Sequence, residues 1–117
     1  MLRLVVDQFA SSPVLKDLGY SRRLNKLYVL TGDFNSPEES YIISNLNERL
    51  VNLGPDYHEK TWTTKPFSYN GFSEDNLNWR LDFVFGTKDI KVISSEIIKI
   101  ELSDHLPILI KIEIPEN

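Results

Sequence analysis

Isoleucines stand at positions 108, 110, 112 and 114, with Leu109, Lys111 and Glu113 between them. A period of two belongs to a strand that buries one face, because successive side chains leave a strand on opposite sides, whereas a helix repeats every 3.6 residues. A chain containing such a strand must also supply the apolar layer that covers it. Residues 79–85 alternate as well, with Leu81, Phe83 and Phe85 on one face and Arg80, Asp82 and Val84 on the other, so the aspartate is expected to point away from the aromatic face. Residues 90–101 form another β-rich run. Leu27 to Thr31 is a short apolar run of strand formers, read as a buried strand.

Helical spacing appears twice. Leu2, Val5, Val6 and Phe9 predict a short amphipathic helix over 2–11, broken at Pro13, with a further turn through Leu18 closed by Gly19 and a polar connector over 21–26. Ser36, Pro37, Glu38 and Glu39 read as a helix start, with Ser36 as cap, Pro37 in the first turn and Glu39 completing a capping box. Ile42, Ile43, Leu46, Leu50 and Leu53 continue that helix to Gly54. Residues 55–78 are rich in loop formers, with a strand expected over 60–64 and an aromatic excursion, PFSYNGF, over 66–72. There are no repeats or internal linkers, and 117 residues suffice for one core and no second module.

Composition narrows the functional classes. The chain has no cysteine, which excludes disulfides, thiolate nucleophiles and Cys-ligated metal centres. Lys and Arg number 13 against 17 Asp and Glu, a net charge of -4 that disfavours a broad electrostatic footprint on nucleic acid or anionic lipid. A phosphate-bearing ligand would therefore need a local cation. No apolar run is long enough to span a bilayer, and the first residues do not read as a signal peptide.

Three polar clusters flank β segments: Asp33 with Asn35, Arg80 with Asp82, and Ser103-Asp104-His105 ahead of the last strand. Each has a plain structural explanation. Gly32-Asp33-Phe34-Asn35 can be a turn leading into a helix, Asp82 a strand carboxylate paired with Arg80 or a lysine, and Asp104-His105 a loop pair before Pro107. A strand-to-helix loop is also where ligand sites form in open α/β sheets.

Taken in order, Gly32-Asp33-Phe34-Asn35, Arg80-Leu81-Asp82-Phe83 and Ser103-Asp104-His105 resemble the carboxy-terminal half of the endonuclease/exonuclease/phosphatase superfamily, the DNase I-like fold. The resemblance covers most of residues 27–114, and Thr61-Trp62 resembles the Thr-aromatic strand that precedes the R-x-D strand there. It implies an α/β (α+β) fold, half of a four-layered sandwich with a mostly antiparallel sheet and flanking helices, so that residues 1–117 form a single partial domain.

It also implies a divalent-metal-dependent phosphoester hydrolase. In that scheme Asp33 activates water, Asn35 holds the water or a phosphate oxygen, Asp104 helps to bind Mg²⁺ or Mn²⁺, and His105 contacts the phosphate, oriented by Asp82. The implied substrates are phosphoesters of nucleic acid, phospholipid headgroup or inositol phosphate. The superfamily's other half supplies an Asn, a metal-binding Glu and a further His or Tyr, and no residues before 27 match them. A missing amino-terminal half, or another chain, is therefore the expected partner. His58 is expected to be an exposed loop residue. The alternative is a non-catalytic half-domain that binds a partner, and either way the inner faces of the strands are expected to leave apolar side chains uncovered.

Overall fold

The computed structural model describes residues 4–7 and 27–115. Its centre is a four-stranded sheet in the order β1-β2-β6-β3, where β1 is Leu4–Asp7, β2 is Leu27–Asp33, β3 is Val51–Asn52 and β6 is Asp82–Gly86. The β1 strand runs parallel to β2, with Leu4 opposite Leu27 and Asp7 opposite Leu30. This corrects the helix expected over 2–11. Leu4-Val5-Val6 is a contiguous apolar run with two β-branched residues, a composition that favours a strand. The rest of that helix, the break at Pro13, the turn to Gly19 and the connector over 21–26 lie outside the described residues.

The β2 and β6 strands pair antiparallel, with Val29 opposite Gly86, Leu30 opposite Phe85 and Asp33 opposite Asp82. The β2 strand thus runs two residues further than Leu27–Thr31, so that Asp33 closes the strand and does not lie in the following loop. A helix, α1 (Tyr41–Arg49), follows. It starts later than Ser36 because the chain is still tied to the sheet at Phe34, whose N–H donates to the Leu81 carbonyl, and Ser40 becomes the cap, accepting from the Ile43 N–H. It stops before Gly54 because Leu50 is already extended and the Leu53 N–H donates to the Val84 carbonyl, a sheet bond that replaces the helical one.

Each face of the sheet is covered. On one side Tyr28, Leu30, Phe83 and Phe85 pack on Ile43, Leu46 and Leu50 of the helix segment. On the other, Leu27, Val29 and Val84 pack with Leu53, Ile90 and the stripe Ile108, Ile110, Ile112 and Ile114. That stripe belongs to a hairpin of β7 (Lys91–Ile97) and β8 (Ile108–Glu113), so the alternation read from the sequence is the observed one. The covering hairpin also corrects the expectation of bare inner faces on β2 and β6. The apolar surface left over lies on the hairpin itself, where the isoleucines are half-buried and Ile93 and Leu109 are exposed.

Between helix and hairpin, 60–64 forms no strand. Trp62 makes single bridges to Trp79 and to His105, so one residue joins two segments without starting a ladder. The aromatic excursion is a hairpin of β4 (Phe67–Tyr69) and β5 (Phe72–Glu74). Its turn residues Asn70 and Gly71 both have positive φ, 50° and 88°, as a two-residue hairpin turn requires. No helix among the described residues is long and apolar enough to cross a membrane.

Gly86 leaves no room for a side chain. A methyl group there would overlap the Leu53 side chain and come within 3.0 Å of the Tyr28 carbonyl oxygen. Gly86→Ala is expected to cost about 1–3 kcal/mol of stability, the usual cost of overpacking a filled core. Urea denaturation measures it, and a midpoint unchanged from the parent would show that Leu53 swings aside freely.

Candidate active site

The register of β2 on β6 sets Asp33 directly opposite Asp82. Like charges facing each other across antiparallel strands repel, so this pair needs a cation. His105 supplies it. The imidazole Nδ1 lies 2.7 Å from Asp82 Oδ2, a hydrogen bond, and Nε2 lies 3.6 Å from Asp33 Oδ2, which is ion-pair distance and too long for a hydrogen bond. Asp82 and His105 are half-buried, while Asp33 is exposed.

Local chemistry holds each side chain. Asp33 Oδ1 accepts from the Asn35 N–H at 2.8 Å, an Asx turn that uses one carboxylate oxygen and leaves Oδ2 facing His105. Asn35 sits at φ 49°, a left-handed conformation that asparagine tolerates better than most residues. The turn reading of Gly32-Asp33-Phe34-Asn35 and the site reading therefore describe the same atoms. His105 is placed by the loop before β8, where the Ser103 hydroxyl accepts the His105 N–H and the Leu106 N–H donates to the Thr61 carbonyl. Asp104 accepts from the Trp62 indole N–H at 3.2 Å and from the Ser103 hydroxyl at 3.2 Å.

Charge states follow from these contacts. Burial opposes a charged His105, but its hydrogen bond to the Asp82 carboxylate and the charges of Asp82, Asp33 and Asp104 outweigh it and raise its pKa above the ordinary histidine value. Burial raises the Asp82 carboxyl, and bonds from His105 and Thr61 offset that only in part. The Trp62 N–H holds the exposed Asp104 carboxyl below the usual carboxylate range.

His105 stands at the junction of two hollows. One, of about 380 Å³, is lined by Asp33, Asp82, Ile100, Leu102 and His105. The other, of about 430 Å³, is lined by Asn35, Trp62, Phe72, Trp79, Asp104 and His105. The structure thus brings Asp33, Asp82 and His105 into direct contact, and sets Asn35 and Asp104 around the second hollow beside the same imidazole. Among the described residues, the side chains whose ligand atoms lie within 4.8 Å of one another are Asp33, Asp82 and His105; Asp104 is not among them. Asp82 and His105 are bonded to each other, while the exposed carboxylates of Asp33 and Asp104 line different hollows beside the imidazole. Each is an oxygen donor of the kind a hard divalent cation takes, and each alone falls short of the six or more oxygens such an ion needs.

Asp82 bonds to His105, the contact the resemblance implied; the plain alternative, a pair with Arg80, is not observed, and that guanidinium lies over the rings of Tyr57 and Phe83 at 5.5 and 5.4 Å. The alternation expected over 79–85 holds from Asp82 onward and fails before it, because the strand begins there. His58 is exposed, as expected, and bonds to Asp56. Trp62 and Thr61, which hold Asp104 and the β6 backbone, were legible only as a Thr-aromatic pair of no stated role.

Residues 8–105 match the model of the Endonuclease/Exonuclease/phosphatase family. No curated protein matches the chain. Among solved structures, the chain is similar to an endonuclease/exonuclease/phosphatase from Bacteroides vulgatus, with a TM-score of 0.62 and 21% identity over 91% of this chain and 44% of that one. It is also similar to an endonuclease/exonuclease/phosphatase family protein from Leptotrichia buccalis C-1013-b, with a TM-score of 0.59 and 26% identity over 85% of this chain and 41% of that one. A functionally unknown conserved protein from Enterococcus faecalis V583 gives a TM-score of 0.63 and 14% identity over 87% of this chain and 42% of that one. The chain spans about two fifths of the length of these structures.

The raised pKa of His105 gives a signed prediction. The stability that its charged form contributes is fully present below the unfolded value of about 6.5 and is lost as pH rises through the raised folded value. Asp82→Asn removes the bonded carboxylate and should lower the His105 pKa, which titration of the imidazole by NMR measures. An unchanged midpoint in the folded variant would mean that Asp82 does not set the charge of His105.

Proposed function

This chain belongs to the endonuclease/exonuclease/phosphatase family, and we propose that it contributes the catalytic face of a phosphoester hydrolase that uses an activated water and a divalent cation, Mg²⁺ or Mn²⁺. Family membership puts the chain among phosphoesterases and nucleases. The observation that carries the finer reading is the line Asp82–His105–Asp33, in which one imidazole nitrogen is anchored to a half-buried carboxylate while the other faces an exposed one.

Asp33 takes a proton from the attacking water as its oxygen bonds to phosphorus and the bond to the leaving oxygen breaks. Asn35 orients that water or a phosphoryl oxygen. His105 meets the phosphoryl group through Nε2, its ring fixed and its charged form supported by Asp82, as in other carboxylate–imidazole pairs. Asp104, anionic and open to solvent, helps to hold the cation, which when bound supplies positive charge for the phosphoryl oxygens. The substrate is a phosphoester of nucleic acid, phospholipid headgroup or inositol phosphate type.

We read the chain as the carboxy-terminal portion of a domain whose other half, or another chain, adds the remaining ligands. The second reading, a non-catalytic module that binds a partner, draws support from the half-covered isoleucine stripe and the exposed Ile93 and Leu109.

The 117-residue chain alone is expected to cleave an activated phosphodiester poorly with Mg²⁺, because its open carboxylates are too few to hold the ion firmly. Supplying the other half of a family domain should restore turnover, and His105→Ala should then reduce it by about 10²–10⁴-fold. Robust cleavage by the chain alone, lost in His105→Ala, would refute the incompleteness. No cleavage with the other half bound would favour the partner-binding reading.

A further inference from the structure

Arg80 is fully buried, yet among the described residues no carboxylate lies within ion-pairing distance of it. A buried cation is costly unless its donors are used, and one nitrogen, Nη2, has no partner. Its other donors all go to backbone carbonyls. Nε donates to the Asp82 carbonyl at 2.6 Å, and Nη1 donates to the carbonyls of Asp56 at 2.9 Å and Glu59 at 3.1 Å. The guanidinium therefore ties 56–59 to the start of β6, at the residue whose side chain holds His105.

The same segment leads into Thr61, which is also fully buried. The Thr61 hydroxyl accepts the N–H of Leu81 at 3.1 Å and of Asp82 at 3.3 Å, and the Thr61 carbonyl accepts the Leu106 N–H at 2.8 Å. Asp82 is thus gripped on both sides, its carbonyl by Arg80 and its N–H by Thr61. The residue after His105 is gripped by the same threonine. The two partners of the 2.7 Å bond come from β6 and from the loop before β8, and Arg80 with Thr61 forms a continuous link between them.

We propose that Arg80 and Thr61 are positioning residues that set the Asp82 carboxylate against the His105 imidazole. The proposal rests on the reading of that pair as the working part of the site, and its test reads the bond itself and not hydrolysis. Lysine does not reproduce Arg80, because its three N–H groups sit on one nitrogen, whereas the carbonyls on the two segments are reached through two guanidinium nitrogens in a fixed plane.

A proton held between an imidazole nitrogen and a carboxylate gives a strongly downfield NMR signal, and Asp82→Asn identifies the one from His105 by its loss. Arg80→Lys and Thr61→Val are expected to lose or markedly weaken that signal while near-ultraviolet circular dichroism still reports a folded core. Thr61→Ser, which restores the hydroxyl, should keep it. If Arg80→Lys fails to fold, the Thr61→Val and Thr61→Ser pair decides. Retention of the full signal in folded Thr61→Val or folded Arg80→Lys overturns the proposal, whether or not the protein hydrolyses phosphoesters.

Discussion

The pairing of β2 with β6 is the constraint on which the rest of the site depends. It places Asp33 opposite Asp82, an arrangement that costs energy by itself, and the register that does so is held by apolar residues further along the same strands. Leu30 and Phe85 face the helix, while Val29 and Val84 face the isoleucine stripe. A slip of one residue would exchange those two sets and carry Asp82 to the helix side. Burial of two cores thus stabilises an electrostatic arrangement that no local preference would choose.

Relief of the repulsion comes from a different part of the chain. His105 precedes β8, whose isoleucines cover the face of the sheet on which Val84 lies, so the packing that closes that core also delivers the imidazole to its edge. Residues 61–64 complete the placement. Thr61 accepts from Leu106, Trp62 bridges to His105 and bonds Asp104, and the Thr64 N–H donates to the Asp104 carbonyl. Core and site are consequently one structure, and a change in the isoleucine stripe is also a change in where His105 stands.

What the sequence disclosed depended on whether local pattern or tertiary contact decided the outcome. The isoleucine alternation and the aromatic face of β6 were legible because a half-buried strand writes its period into the residues. The helix expected at 2–11 was not, since apolar residues at i and i+3 in so short a window occur equally in a buried parallel strand, and the arbiter, pairing with β2, is remote. Ser36 was the expected cap, and the Phe34 bond to Leu81, which keeps the chain on the sheet, moved the cap to Ser40. The three polar clusters were legible as motifs, and their resemblance to the family implied that Asp82 orients His105, whereas the burial of Arg80 among backbone carbonyls was not legible. Alternation assigns faces within a strand and says nothing about Arg80, which lies just outside it.

Carboxylates outnumber cations around His105. Asp33, Asp82 and Asp104 surround one imidazole, so with His105 protonated the cluster carries three negative charges and one positive, a net of two negative. A phosphodiester adds a further negative charge, and at partly exposed sites like charges a few ångströms apart repel by about 1–4 kcal/mol each. On the proposed reading, the carboxylates that would activate water also oppose the approach of the phosphoester. A divalent cation bound beside them would offset that repulsion, so the acidity of the cluster and the proposed Mg²⁺ or Mn²⁺ would answer one electrostatic requirement.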